Sequence, residues 1–340
     1  MIADGLVVPR ARGEEVRQDL AEAGLLRADL EIAHEGERLV FPVVDDHSEI
    51  PTSWGELVRR EFLPYPRKGP LSYRDLLGWD EAAKADLPRS FDVVGDIVLI
   101  RLPAEFSDRK NAVGEALLRF VPGARLVGWD HGVHGPERLR SVERIAGYGP
   151  WRTRHRENGI EFEVDVERAY FSPRLAREHA RVAGEVRDGE RLYDLCCGVG
   201  PFSVTAARLG RASAITAVDS NPDAIELLRQ TLGRIPGRDR VRSVVGPLES
   251  FVPSAAPVER VVMNLPREGI KYLTSVARTV APGGSLYYYE VVSRSELEQR
   301  GAVLVNLLAE TGTFVLRSQR VVHPYSPGSD LVAFVFLRSG

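Results

Sequence analysis

Residues 194–200, Asp-Leu-Cys-Cys-Gly-Val-Gly, set a carboxylate and two glycines in the order D-x-x-x-G-x-G. Glycine enters left-handed backbone conformations without steric cost, so Gly198 and Gly200 allow a tight turn that a ligand can approach closely. Asp219 stands 21 residues beyond Gly198, at the end of the apolar run SAITAVD. A carboxylate at that distance and position accepts hydrogen bonds from the two hydroxyls of a ribose. Asn264-Leu265-Pro266 ends a third run, VERVVM. It offers one amide side chain and a fixed backbone carbonyl as acceptors for the N–H groups of a planar molecule.

The turn also narrows the ligand. Gly200 is followed by Pro201-Phe202, whereas a dinucleotide fingerprint carries a third glycine that brings helix and strand together around a pyrophosphate. A ligand without phosphates, S-adenosylmethionine, suits the D-x-x-x-G-x-G form. An ordinary tight strand-to-helix turn with an unrelated acid downstream stays open at this level.

These residues need strands that end together, and the chain supplies them. From about residue 180 onward apolar runs alternate with amphipathic stretches of ten or more residues, which predicts a parallel sheet with crossover helices. Pro201 suits the first position of one of those helices. Upstream, GLVV, RLVFPVV and the amphipathic GEEVRQDLAEAGLL form one small α/β unit over residues 1–55. Residues 56–80 carry prolines and glycines and read as a linker. A second unit, 81–178, opens with SFDVVGDIVLIRLP as one buried strand and continues with the helix KNAVGEALLRFV and the strand RLVGWD.

Composition sets the outer limits. A chain of 340 residues with 44% hydrophobic content builds more than one domain with a buried core. Its only cysteines are the neighbours Cys196 and Cys197, which argues against a disulfide framework or a thiolate metal site and for a reducing cytoplasm. No apolar stretch approaches the ~20 residues that span a bilayer, and no secretory leader pattern opens the sequence, so no membrane partner is expected. Only four of the 45 cationic residues are lysine, a bias compatible with phosphate recognition. Between Arg138 and Arg156 six arginines (138, 140, 144, 152, 154 and 156) accompany the single acid Glu143, an electrostatic footprint suited to a nucleic-acid backbone or a solvated face.

The combination of YFSPRLAREHARVA, DLCCGVGPF, AVDSNP and MNLP, with SFDVVGDIVLIRLP and HRENG upstream, resembles the archaeal and eukaryotic tRNA (guanine-37 N1)-methyltransferases over nearly the whole chain. The resemblance implies a class I, Rossmann-like methyltransferase domain with a doubly wound sheet over 179–340. It also implies small N-terminal α/β domains that contact tRNA, and S-adenosylmethionine as cofactor. Three features depart from the family pattern: Cys196-Cys197 stands for an aromatic-Ala pair, His179 for an arginine, and Pro247 for an acid near the adenine amine.

The residue roles come with the resemblance. Methylating guanine N1 requires a base for its proton and a cation or donor for the charge that grows on O6. The family's base falls on Glu178 and its charge-stabilising arginine on Arg138, with Asn264 and Pro266 as the acceptor wall. Cofactor contacts fall on Tyr170, Arg174, Asp194, Cys196, Gly198 and Gly200. Further contacts fall on Asp219, Ser220, Leu248 and Asn264. The expected partner is the anticodon loop and body of tRNA, met by a monomer in the cytoplasm.

Two other functions compete. Transfer of the aminocarboxypropyl group, or of methyl, to a tricyclic wyosine precursor at the same tRNA position is one; Asp219 and the Asn-Leu-Pro sequence favour methyl transfer to guanine. A non-catalytic, cofactor-binding RNA chaperone is the other, and it gains weight if Glu178 or Arg138 points away from the pocket.

Overall fold

The computed structural model describes residues 1–48, 50–64, 70–135 and 137–339, in two compact units, 1–71 and 72–340. In the first, four strands form an antiparallel sheet in the order Ala33–Glu35, Arg38–Pro42, Ile2–Pro9, Glu56–Glu61. Helix Gly13–Glu22 buries Val16 and Leu20, four residues apart on one face, in a cluster with Leu6, Val8 and Phe41. The expected linker at 56–80 is therefore corrected at its start. Residues 56–61 pair with Ile2–Val7 along their length, because alternation in ELVRRE suits an exposed edge strand despite its high charge.

The second unit begins with a four-stranded sheet ordered Asp92–Val94, Ile97–Ile100, Leu126–His134, Leu139–Gly147. Helix Lys110–Phe120 packs Val113, Ala116 and Leu117 into its core. SFDVVGDIVLIRLP is a hairpin rather than one strand: Val94 pairs with Ile97 across Gly95-Asp96, and Gly95 takes a φ of 58°. The hairpin Arg152–Glu157 and Ile160–Asp165 follows. Its apolar side shares a cluster with strands of that four-stranded sheet and with helices that cover the next one, all within unit 72–340.

Seven strands complete the fold: β1 (Arg191–Leu195), β2 (Ala214–Asp219), β3 (Val241–Val245), β4 (Val258–Met263), β5 (Val280–Ser293), β6 (Phe314–Ser326) and β7 (Ser329–Arg338). Their order is 3-2-1-4-5-7-6. The first five run parallel, and β7 lies antiparallel between β5 and β6. The helices are α1 (Ala176–Glu185), α2 (Pro201–Leu209), α3 (Pro222–Leu232), α4 (Leu248–Phe251), α5 (Leu273–Ala277) and α6 (Leu297–Leu308). The run Tyr287-Tyr288-Tyr289 on β5 shows how both faces are covered. Tyr288 packs with α5 and α6, whereas Tyr287 and Tyr289 pack with α1 and the start of α2, as a period of two requires. The sheet is doubly wound and mixed, with its ligand-binding edge at the carboxyl ends of β1, β2, β3 and β4.

Candidate active site

The turn after β1 is held from two sides. Cys196, Gly198 and Gly200 have φ values of 61°, 57° and 75°. The Gly198 N–H donates to Asp219 Oδ2 at 2.7 Å, and the Asn221 N–H donates to Oδ1 at 2.9 Å, so the ends of β1 and β2 are tied at one carboxylate. Burial raises the Asp219 pKa, against the pull of those two N–H groups.

Four expected site residues lie outside the lining of the cavity that opens at this turn. Asp194 is fully buried and accepts from Ser203 N–H at 3.0 Å and Ser203 Oγ at 2.7 Å. It clamps β1 to α2, and burial pushes its pKa up to about 7. A Cβ at Gly200 would meet Leu228 Cδ1 at 2.4 Å, so the glycine serves the approach of α3. Arg174 pairs with Asp92 at 2.7 Å. Glu178 is the fourth.

Glu178 is only 2% exposed. Arg181 donates to both its oxygens, at 2.7 and 3.2 Å, Tyr289 OH donates to Oε2 at 3.0 Å, and Arg320 completes the set at Oε1. The arginines overcome the burial penalty and lower its pKa. Four donors on a carboxylate of lowered pKa favour its ionised form. The expected base is thus an ion-pair hub joining α1, β5 and β6.

The other nine expected residues share one cavity of about 480 Å³, within the range of small-molecule sites. Cys196, Gly198, Asp219, Ser220 and Leu248 line it from the ends of β1, β2 and β3; Asn264 and Pro266 come from β4; Arg138 and Tyr170 come from upstream. Arg138 Nε is buried without a partner, and its guanidinium lies 4.7 Å from the Tyr170 ring centre. Arg140 does a different job: it is buried and donates to Asp130 at 2.6 Å and to the Phe171 carbonyl at 3.0 Å. The Pro266 carbonyl already accepts the Val291 N–H at 2.9 Å, so the Asn264 amide is the more available group of that pair.

The cavity also contains side chains that spacing did not point to: Glu137, Phe171, His179, Phe202, Glu249, Tyr272, His323 and Tyr325. His323 and Tyr325 sit near the end of β6, where H-x-Y carries no recognisable motif. Tyr272 donates to Glu249 at 2.6 Å, and its own pKa is pushed up to about 12, chiefly by that carboxylate. Burial, aided by Asp219 and Asp194, raises the Cys196 thiol to about 12 as well. That shift favours the neutral thiol, the less nucleophilic form.

Residues 153–323 match the family model described as the TRM5/TYW2 methyltransferase domain. The chain belongs to this family. Residues 5–53 match the tRNA methyltransferase 5 N-terminal domain and 73–150 the TYW2 N-terminal domain. Among curated relatives, tRNA (guanine(37)-N(1))-methyltransferase Trm5b of Pyrococcus abyssi is 34% identical over 283 residues, 83% of this chain and 82% of its own length. The Trm5b of Methanocaldococcus jannaschii is 29% identical over 97% of both chains. The crystal structure of Pyrococcus abyssi Trm5b superposes with a TM-score of 0.73 at 30% identity, covering 99% of this chain and all of that one. Family structures also include Methanocaldococcus jannaschii Trm5 with adenosine, at a TM-score of 0.67 and 27% identity over 99% of both chains. An archaeal Trm5 with tRNALeu matches at 0.69 and 27%, covering 98% of this chain and 99% of that one.

Proposed function

We infer that this chain methylates N1 of guanosine 37 of tRNA, with S-adenosylmethionine as the methyl donor. The observation that carries the reading is the single cavity that joins the Asp219 ribose-type site to the Asn264, Tyr170 and Arg138 wall. The residues fit the cofactor: each Asp219 oxygen keeps a lone pair for a ribose hydroxyl beyond its backbone bond. Leu248 and Ser220 border that carboxylate, and a neutral Cys196 does not compete for the methyl group. When bound, S-adenosylmethionine supplies an electrophilic methyl.

The chain's own groups position and polarise the acceptor. Arg138, with an unpartnered Nε, supplies a cation toward O6 as N1 loses its proton. The Asn264 amide oxygen accepts from the guanine 2-amino group, which holds the ring in plane. A non-catalytic chaperone does not require an arginine with a buried, unpartnered Nε in the cavity wall.

Among the described residues no helix is long and apolar enough to cross a membrane. Nucleoside mass spectrometry of tRNA incubated with protein and cofactor tests the reading. One methyl on guanosine 37 is expected. An aminocarboxypropyl gain, or methylation only of tRNA that already carries the tricyclic base, would replace it with the wyosine-precursor reading. A relative named tRNA 4-demethylwyosine(37)-methyltransferase Taw21, 26% identical over 242 residues, makes that second arm worth running.

A further inference from the structure

The wall that carries Asn264 and Pro266 continues into a turn pinned on both sides. The Leu265 carbonyl accepts the Gly269 N–H at 2.7 Å, and the Pro266 carbonyl accepts the Val291 N–H of β5 at 2.9 Å. Arg267 stands on this turn, exposed and in the cavity lining. Its Nε donates to Tyr325 OH, near the end of β6, at 3.1 Å, and its guanidinium lies 5.3 Å from the centre of the Tyr325 ring. The adjacent carboxylate, Glu268, is held by Lys271 at 3.1 Å, and among the described residues no carboxylate lies within ion-pair distance of Arg267.

This arrangement leaves donors aimed at an anion. Tyr325 occupies only Nε, so both terminal nitrogens of Arg267 keep their N–H groups in the planar fork that meets two oxygens of a phosphate. Tyr325 OH accepts from Nε and retains its own proton for the same anion. The stacked ring and the hydrogen bond hold the guanidinium in place, which reduces the side-chain entropy lost when it binds. A base drawn into a cavity leaves its sugar and phosphates at the rim. Asn264 lies three residues before Arg267, a stretch of at most ~10 Å, on the scale of one nucleotide. A guanine that meets Asn264 therefore has its flanking backbone within reach of Arg267.

We propose that Arg267, braced by Tyr325, grips a phosphate that flanks the target nucleotide and so anchors that nucleotide with its base in the cavity. The assignment rests on the methyltransferase reading above. Arg267 is a binding and positioning residue, and no bond is made or broken at it.

Filter binding of full-length tRNA by the full chain tests this, with a single uncharged methylphosphonate linkage placed either 5′ or 3′ of guanosine 37. Arg267→Ala is expected to weaken binding of unmodified tRNA roughly tenfold or more, while S-adenosylhomocysteine binds within a few-fold of wild type. One of the two neutral linkages should weaken wild-type binding by a similar factor, and on that tRNA Arg267→Ala should cost almost nothing further. Tyr325→Phe, which keeps the ring and removes the hydroxyl, should show a smaller loss with the same dependence on that linkage. Penalties that multiply at both linkages overturn the proposal, as does a loss of S-adenosylhomocysteine affinity equal to the loss of tRNA affinity, which would assign Arg267 to the cofactor. Wild-type affinity unchanged by both neutral linkages overturns it whatever the variants do. Wild-type protein that makes no 1-methylguanosine removes the underlying reading instead, because the coupling between Arg267 and the linkage is read from affinity alone.

Discussion

The Arg138 guanidinium sits over the Tyr170 ring, 4.7 Å from its centre, at a residue whose φ of 55° is left-handed and non-glycine. A bulky side chain pays for that conformation only where its surroundings fix it, and such positions concentrate at functional sites. The stacking holds a planar cation in the cavity wall while leaving Nε unsatisfied. Arg138→Ala should slow the chemical step on the order of 10²-fold or more with cofactor affinity nearly intact. Arg138→Lys should recover little, because an ammonium lacks the planar face that stacks. Single-turnover rates beside calorimetric cofactor titration check both.

Glu178→Gln is expected to act first on stability. The carboxylate joins Arg181 on α1, Arg320 on β6 and Tyr289 on β5. A fully buried pair costs about 3–5 kcal/mol to break; because Arg320 can turn to water, a loss of about 2–3 kcal/mol is expected here. Denaturant melts of the variant measure it. Raising the pH supplies in solution what a base supplies by position, so rescue of an accompanying rate loss at high pH identifies Glu178 as the proton acceptor, and a loss that persists makes its role structural.

Asp194 gives a pH signature. Its native pKa of about 7 lies above the ordinary value of about 4, so between those values the folded state binds more protons than the unfolded state. Stability from this group therefore falls as pH rises from about 4 to about 7 and levels off above. Asp194→Asn is neutral throughout. The melting temperature of the variant minus that of wild type should climb across that interval and then stay flat, which thermal melts at a series of pH values will show.

The arginine-rich stretch divides into separate jobs. Arg152, Arg154 and Arg156 are exposed on one side of a strand, alternating with Thr153, His155 and Glu157. Arg152 and Arg154 are tethered to Glu163 at 3.0 and 2.9 Å. If Arg156 meets a tRNA phosphate, Arg156→Ala should reduce the salt slope of tRNA affinity by roughly 0.7–0.9. Arg140→Ala should leave that slope unchanged and lower the melting temperature, since it removes the buried partner of Asp130. Filter binding over a salt series separates the two.

Much of this protein is local, and local features are legible in sequence. Gly198, Asp219 and Asn264 each mark the carboxyl end of a strand, and parallel pairing brings such ends together whatever packs around them. The placement of those three residues in one cavity followed from that rule. The surroundings of Glu178 did not, because Glu178 and His179 are adjacent on α1. One residue of a helix turns the side chain by about 100°, so the same segment sends one of them to an ion-pair hub and the other to the cavity. Which goes where is decided by how α1 packs on Tyr289 and Phe202, from β5 and α2. Arg138 and Arg140 separate for a related reason. Strand alternation puts residues two apart on one face, but the left-handed turn at Arg138 breaks the alternation before the strand begins. The sequence by itself determined which residues end the strands; only the tertiary packing decided which charged side chains face the acceptor and which hold the fold together.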